Sequence, residues 1–175
     1  MMEQTSFAAW LFLPFVLPIC IWAAWNDLRA MKIPNKAVIA LALVFVLLGL
    51  FVMPWPDYLW RLAQLVVVLL VGIVLNATGA MGAGDAKFAA AAAPFIALGD
   101  LRILMALYAA NLIAAFVTHS IAKHTKLRNL APDWKSWNVG SDFPMGLSLG
   151  GTLALYIAMG TYFGSLTRNA ASRSS

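Results

Sequence analysis

The chain has 175 residues, enough for one domain; 62% are hydrophobic, only 11% are charged, and the mean hydropathy is +0.82. Water-soluble domains carry roughly a quarter charged residues, so most of this chain is expected to face lipid. The net charge of +5 does not indicate nucleic acid, because its twelve Lys and Arg are scattered between apolar runs rather than gathered on one face.

Six apolar segments are predicted in chain order, at about 7–25, 37–55, 58–76, 79–98, 103–121 and 144–164. They are read against the ~20 residues a helix needs to cross the hydrocarbon core. Backbone polar groups in lipid must be satisfied within each helix, so the expected fold is all-α, a polytopic bundle of about six transmembrane helices. A β-barrel would need alternating polarity, which the run 65–75 lacks. No separate soluble domain is predicted within 1–175. The N-terminus has no basic stretch and no clear small-residue cleavage site, so the first run is expected to stay as a span.

Orientation follows from the basic residues between spans. Arg29, Lys32, Lys36, Lys87, Lys123, Lys126, Arg128 and Lys135 fall on one side, and Arg61, Arg102, Arg168 and Arg173 on the other. The first side is expected to be cytoplasmic, with the N-terminus outside. Trp25, Trp55, Trp60, Trp134 and Trp137 fall near the interfaces, where amphipathic rings settle. The loop 123–142 is expected either to lie on the membrane surface or to be a solvated connector.

Cys20, the single cysteine, reads as a small apolar side chain, and His119 and His124 have no metal-ligand spacing. No cofactor and no metal are expected. Gln64, Asn76 and Asn111 are uncharged polar residues within spans, read as interhelical hydrogen-bonding groups.

The acidic residues carry the chemistry. None occupies the middle of a span, but two sit at span ends on the same predicted face, in compact motifs. The first motif is Trp25-Asn-Asp-Leu-Arg-Ala-Met-Lys-Ile-Pro-Asn35, and the second is Gly79-Ala-Met-Gly-Ala-Gly-Asp-Ala-Lys87. From 86 to 98 a helix covers only about 20 Å, too little to cross. Either the span starts near 79 or it dips in and stops short, and both options draw Asp85 below the surface, where a carboxylate is expensive. Gly82 and Gly84 would let an extended substrate backbone approach Asp85; the plainer reading is a glycine turn whose Asp caps the next helix. Asp27 is a carboxylate on the same face, or else an acid paired with Arg29.

Two neighbouring carboxylates share a proton. The ionised one can take a proton from water while the protonated one polarises a carbonyl. The helix dipoles, with Lys87 near Asp85, point to a protonated Asp27 and an ionised Asp85. Lys87 is alternatively a snorkelling anchor. Pro94 is expected to kink the fourth span, and Gly146 and Gly150 give a GxxxG packing face in the sixth.

Together the motifs resemble the type IV prepilin peptidases, GxGD aspartyl proteases of bacterial inner membranes. Asp27, Arg29 and Lys32, then Ile33-Pro34-Asn35, match one family segment; Gly82-Ala83-Gly84-Asp85-Ala86-Lys87 matches the other. The paired cysteines of the larger, methylating members are absent, so the chain is similar to the short peptidase-only branch of Flp/Tad pilus systems and to archaeal preflagellin peptidases. The resemblance implies catalytic Asp27 and Asp85, supporting Gly82, Gly84 and Lys87, and pilin-like precursors as partners. It implies removal of a short basic leader, after a glycine and ahead of the precursor's hydrophobic helix. Phe143-Pro-Met-Gly146 matches the family's proline-glycine segment only loosely and receives no role. The rival readings are a non-catalytic assembly subunit of a pilus or secretion machine, and a small transporter.

Overall fold

The computed structural model describes residues 2–137 and 143–165. Arg168, Arg173 and the end of the 123–142 loop lie outside the described residues. The architecture is the expected all-α polytopic bundle: α1 (Ser6–Ala30), α2 (Asn35–Val52), α3 (Trp55–Ala77), α4 (Ala83–Ala92), α5 (Leu101–His124) and α6 (Met145–Phe163). All but α4 are long and apolar enough to cross a membrane. A short parallel pair, β1 (Met2–Thr5) with β2 (Gly164–Ser165), joins the two ends of the described chain.

The fourth apolar segment therefore dips in and stops short. Residues 79–82 belong to the turn after α3, where Gly79 adopts a positive φ of 76° that suits glycine. The helix then runs only from Ala83 to Ala92, about 15 Å. Pro94 does not kink a continuing helix: Ala93–Phe95 forms a 3-10 turn, Ile96 is extended, and Leu98–Asp100 forms a second 3-10 turn. Hydropathy reads this stretch as continuous because its side chains stay apolar after the backbone has left the helix.

Non-helical backbone within a membrane protein survives only where buried partners satisfy it. Here the Ala97 N–H donates to the Tyr156 hydroxyl oxygen at 3.1 Å, and the Tyr156 O–H donates to the Asp100 carboxylate at 2.8 Å. Asp100 also accepts the N–H groups of Glu3 at 2.8 Å and Gln4 at 3.1 Å. The Arg61 guanidinium donates to the Pro94 carbonyl at 3.3 Å. Asp100, only 2% exposed, thus ties β1, the broken segment and α6 together at one end of the bundle.

The remaining packing follows side-chain size. Phe95, at the end of the broken segment, meets the edge of Phe12 at 5.0 Å and of Phe45 at 5.3 Å between ring centres. Phe45 stacks on Tyr58, whose hydroxyl donates to the Val46 carbonyl. The closest helix pair is α1 with α6, where the GxxxG face works as expected. A Cβ on Gly150 would stand 3.0 Å from the Cys20 carbonyl oxygen, and one on Gly160 would stand 3.0 Å from the Ala9 Cβ. Asn111 bridges α5 to α6, its amide donating to the Ser148 carbonyl and the Thr152 hydroxyl. Asn76 instead bonds locally to the Met81 carbonyl.

Because Tyr156 serves as both acceptor and donor in a dry site, Tyr156→Phe should leave a buried amide and a carboxylate under-satisfied. We expect a loss of about 1–3 kcal/mol, read as a lower thermal midpoint in detergent; an unchanged midpoint would contradict the role given to Asp100.

Candidate active site

The end of the bundle opposite Asp100 gathers the two motifs. Helix α1 runs beyond Trp25 to Ala30, so Asp27 lies inside its last turns and is buried. The chain then turns at Met31, in a left-handed conformation with φ 53°, its N–H donating to the Asp27 carbonyl at 2.8 Å. This turn sends Lys32-Ile33-Pro34 back across the bundle. Asn35 begins α2 without capping it, since the cap position belongs to Pro34. Its side-chain oxygen accepts instead from the Lys87 ammonium at 3.5 Å. Gly84 lies on Ile33, where an added Cβ would stand 3.5 Å from the Ile33 Cβ and backbone nitrogen. The two motifs, far apart in sequence, are in contact in space.

Asp85 occupies the first turn of α4, with Gly82 at the N-cap position and no side-chain cap bond. Gly82 has an ordinary φ of −65°, so its glycine is required by space rather than by backbone angle. A Cβ there would stand 2.6 Å from the Asp85 Oδ2. Asp27 lies close enough to act on Asp85 electrostatically. Burial first, and then the charge of Asp27, push the Asp85 carboxyl up to about 6. Lys87 is exposed and tied to Asn35, so its part is to join α4 to the start of α2.

Sequence reasoning missed the group that holds Asp27. The Gly146 N–H, in the first turn of α6, donates to the Asp27 Oδ2 at 2.7 Å. A Cβ on Gly146 would stand 2.8 Å from the Asp27 Cβ, so glycine is what lets α6 approach. The segment given no role in the sequence therefore supplies a direct contact to an aspartate. It also changes the dipole argument for the resting proton, because Asp27 sits at the negative pole of α1 and the positive pole of α6 together.

In the described part of the 123–142 loop the two tryptophans pack on protein, while most of the other side chains are exposed. Trp134 packs edge-on against Trp25 at 5.1 Å and stacks on Trp137 at 5.6 Å; Trp137 in turn stacks on the buried His119 at 5.0 Å. The Trp137 indole N–H donates to the Ala131 carbonyl at 2.7 Å. These indoles pack on protein, and they clamp the loop over the end of α1 that carries Asp27. Trp25, Trp55 and Trp60 stay exposed, as interfacial rings should.

The family model for the type IV leader peptidases matches residues 14–119, more than half of the chain and a range that includes Asp27 and Asp85. The chain belongs to the type IV leader peptidase family. Membership carries peptidase activity on precursor proteins at the level of the family, and a membrane location. No curated protein and no solved structure matches the chain.

In this leader peptidase the three glycines near the aspartates are not equivalent. Alanine at Gly82 meets only the far end of a flexible side chain, so it should spare the fold yet displace the Asp85 carboxylate. Alanine at Gly146 meets the root of Asp27, and α1 or α6 must shift. Alanine at Gly84 makes ordinary contacts. We expect Gly82→Ala and Gly146→Ala to lower precursor cleavage by about 100-fold, the scale of a misplacement of about 1 Å. Gly84→Ala should cost much less, and equal losses in all three variants would show that these contacts do not set the aspartates.

Proposed function

We propose that the chain is a membrane aspartyl endopeptidase that removes the short leader from pilin-like precursors, with Asp27 and Asp85 sharing one catalytic water. The observation that carries this reading is the meeting of a buried carboxylate, Asp27, and a half-buried one, Asp85, from separate motifs at one end of an apolar bundle. Gly146 fixes one of them, and the other is raised by its surroundings toward neutral pH.

The pair holds one proton between them at about pH 6 and somewhat below, because two close carboxylates resist ionising together. The ionised member removes a proton from the water, whose oxygen attacks the scissile carbonyl carbon. The protonated member donates its hydrogen to the carbonyl oxygen as the tetrahedral intermediate forms. Collapse of the intermediate breaks the carbon–nitrogen bond as the proton taken from water passes to the leaving amine, and a hydroxyl of the intermediate returns its proton to the aspartate that acted as acid, leaving the new carboxyl group. Asp27, which accepts the Gly146 N–H at the positive pole of α6, is the ionised member and Asp85 carries the proton, the reverse of the assignment read from the α1 and α4 dipoles. Gly82 and Gly84 leave the approach to Asp85 open for an extended backbone, and Lys87 with Asn35 holds that approach against α2.

The basic residues Arg29, Lys32, Lys36 and Lys87 flank this end of the bundle, so the positive-inside rule supports a cytoplasmic active site in the bacterial inner membrane.

Coexpression with candidate pilin-like precursors tests the reading. Asp27→Asn and Asp85→Asn should each insert normally and leave precursor uncut, and retained cleavage at a tenth of the normal rate in either would remove the dyad. The rate should also fall as pH rises through about 6 and Asp85 gives up the proton the pair shares. A rate that holds flat well above that pH would count against Asp85 as a member of the pair.

A further inference from the structure

The short α4 leaves a gap in the bundle. Helix α3 packs on α4 and α5 packs on α6, while α3 and α5 do not close on one another. Between them lies a cleft of about 610 Å³, with α4 as its floor and almost wholly apolar walls. Phe88, Ala89 and Ala92 line it, three, four and seven residues after Asp85. Those spacings place them on the same helix face as Asp85. Tyr108, on the α5 wall, is within electrostatic range of Asp85 as well. The cleft thus runs from the Asp85 end to Leu98 and Trp60 near the opposite end, along the depth of the bundle.

We infer that this cleft is the docking site for the apolar helix of the precursor, seated against α4 between α3 and α5 with its cut end at Asp85. The inference rests on the peptidase reading above and adds to it a route for the substrate. A polypeptide at membrane depth must be helical to satisfy its backbone, and Ala63, Ala89 and Ala92 offer the small side chains that let two helices approach closely. The walls match an apolar occupant and are continuous with the aspartate face. A helix lying in the cleft delivers the residues before it to the glycines at Gly82 and Gly84, where it must unwind to be cut.

Cross-linking tests the docking without requiring turnover. The full chain carrying Asp85→Asn is combined with Met105→Cys, on the α5 wall, or with Ile113→Cys, exposed on α5 but outside the cleft. The native Cys20 is buried and does not interfere. The probe is a synthetic precursor of basic leader, glycine and an apolar helix of about 20 residues, with one cysteine two turns beyond the glycine. Met105→Cys should cross-link to it under oxidation and Ile113→Cys should not. Equal cross-linking at both positions, or a Met105→Cys product joining two copies of the protein, overturns the proposal. In the otherwise unaltered chain, Ala63→Trp should slow cleavage of the same precursor at least tenfold, with Ile113→Trp at the parental rate. Parental cleavage by Ala63→Trp overturns the docking site alone. A parental protein that cuts nothing overturns the peptidase reading, and the cross-link still decides the docking face.

Discussion

A carboxylate near the end of an apolar helix must find a donor, and Asp27 finds one in the backbone of another helix. The 2.7 Å bond from the Gly146 N–H fixes the depth of α6 relative to α1, and the glycine seam through Gly150 and Gly160 extends that contact along both helices. Much of the site hangs on this seam. Trp25 lies two residues before Asp27 and receives Trp134, so the same turn of α1 that orients the carboxylate also anchors the loop above it. Met31 then reverses the chain and returns Ile33 and Asn35 to Gly84 and Lys87.

The second aspartate depends on a helix that stops early. A crossing helix at this position would fill the space between α3 and α5; a ten-residue one leaves that space open beside Asp85. The broken backbone that follows would be costly in lipid, and Tyr156, Asp100 and Arg61 offset the cost by hydrogen bonding to it. The two ends of the molecule therefore have different duties. The Asp100 end stabilises an irregular chain, and this frees the Asp27 end to hold two carboxylates and an accessible approach.

Much of this was legible in the sequence because charge is scarce there. In a chain so apolar, an Asp within a compact polar motif has few available roles, and both Asp27 and Asp85 stood out for that reason. The helices were legible from hydropathy, and the glycine spacing in α6 from its period. Three features were not. Asp100 follows an apolar stretch and precedes a helix, so it reads as a loop or cap acid; its long-range donors, the β1 N–H groups of Glu3 and Gln4, depend on the fold. Gly146 read only as a packing glycine paired with Gly150, and its N–H bond to Asp27 is revealed only by the approach of α1. The clamp of Trp134 and Trp137 looks in sequence like a pair of interfacial rings, because composition does not distinguish headgroups from another indole.

The claim at the centre is that Asp27 and Asp85 act on one another. Infrared difference spectroscopy of the Asp85 carboxyl, as a function of pH, measures this directly in the parental protein and in Asp27→Asn. With the neighbouring charge removed, the Asp85 titration should move down from about 6 while burial keeps it above an exposed carboxylate. An Asp85 titration that does not move in Asp27→Asn would contradict the account, because the two carboxylates would then be separate groups rather than a pair.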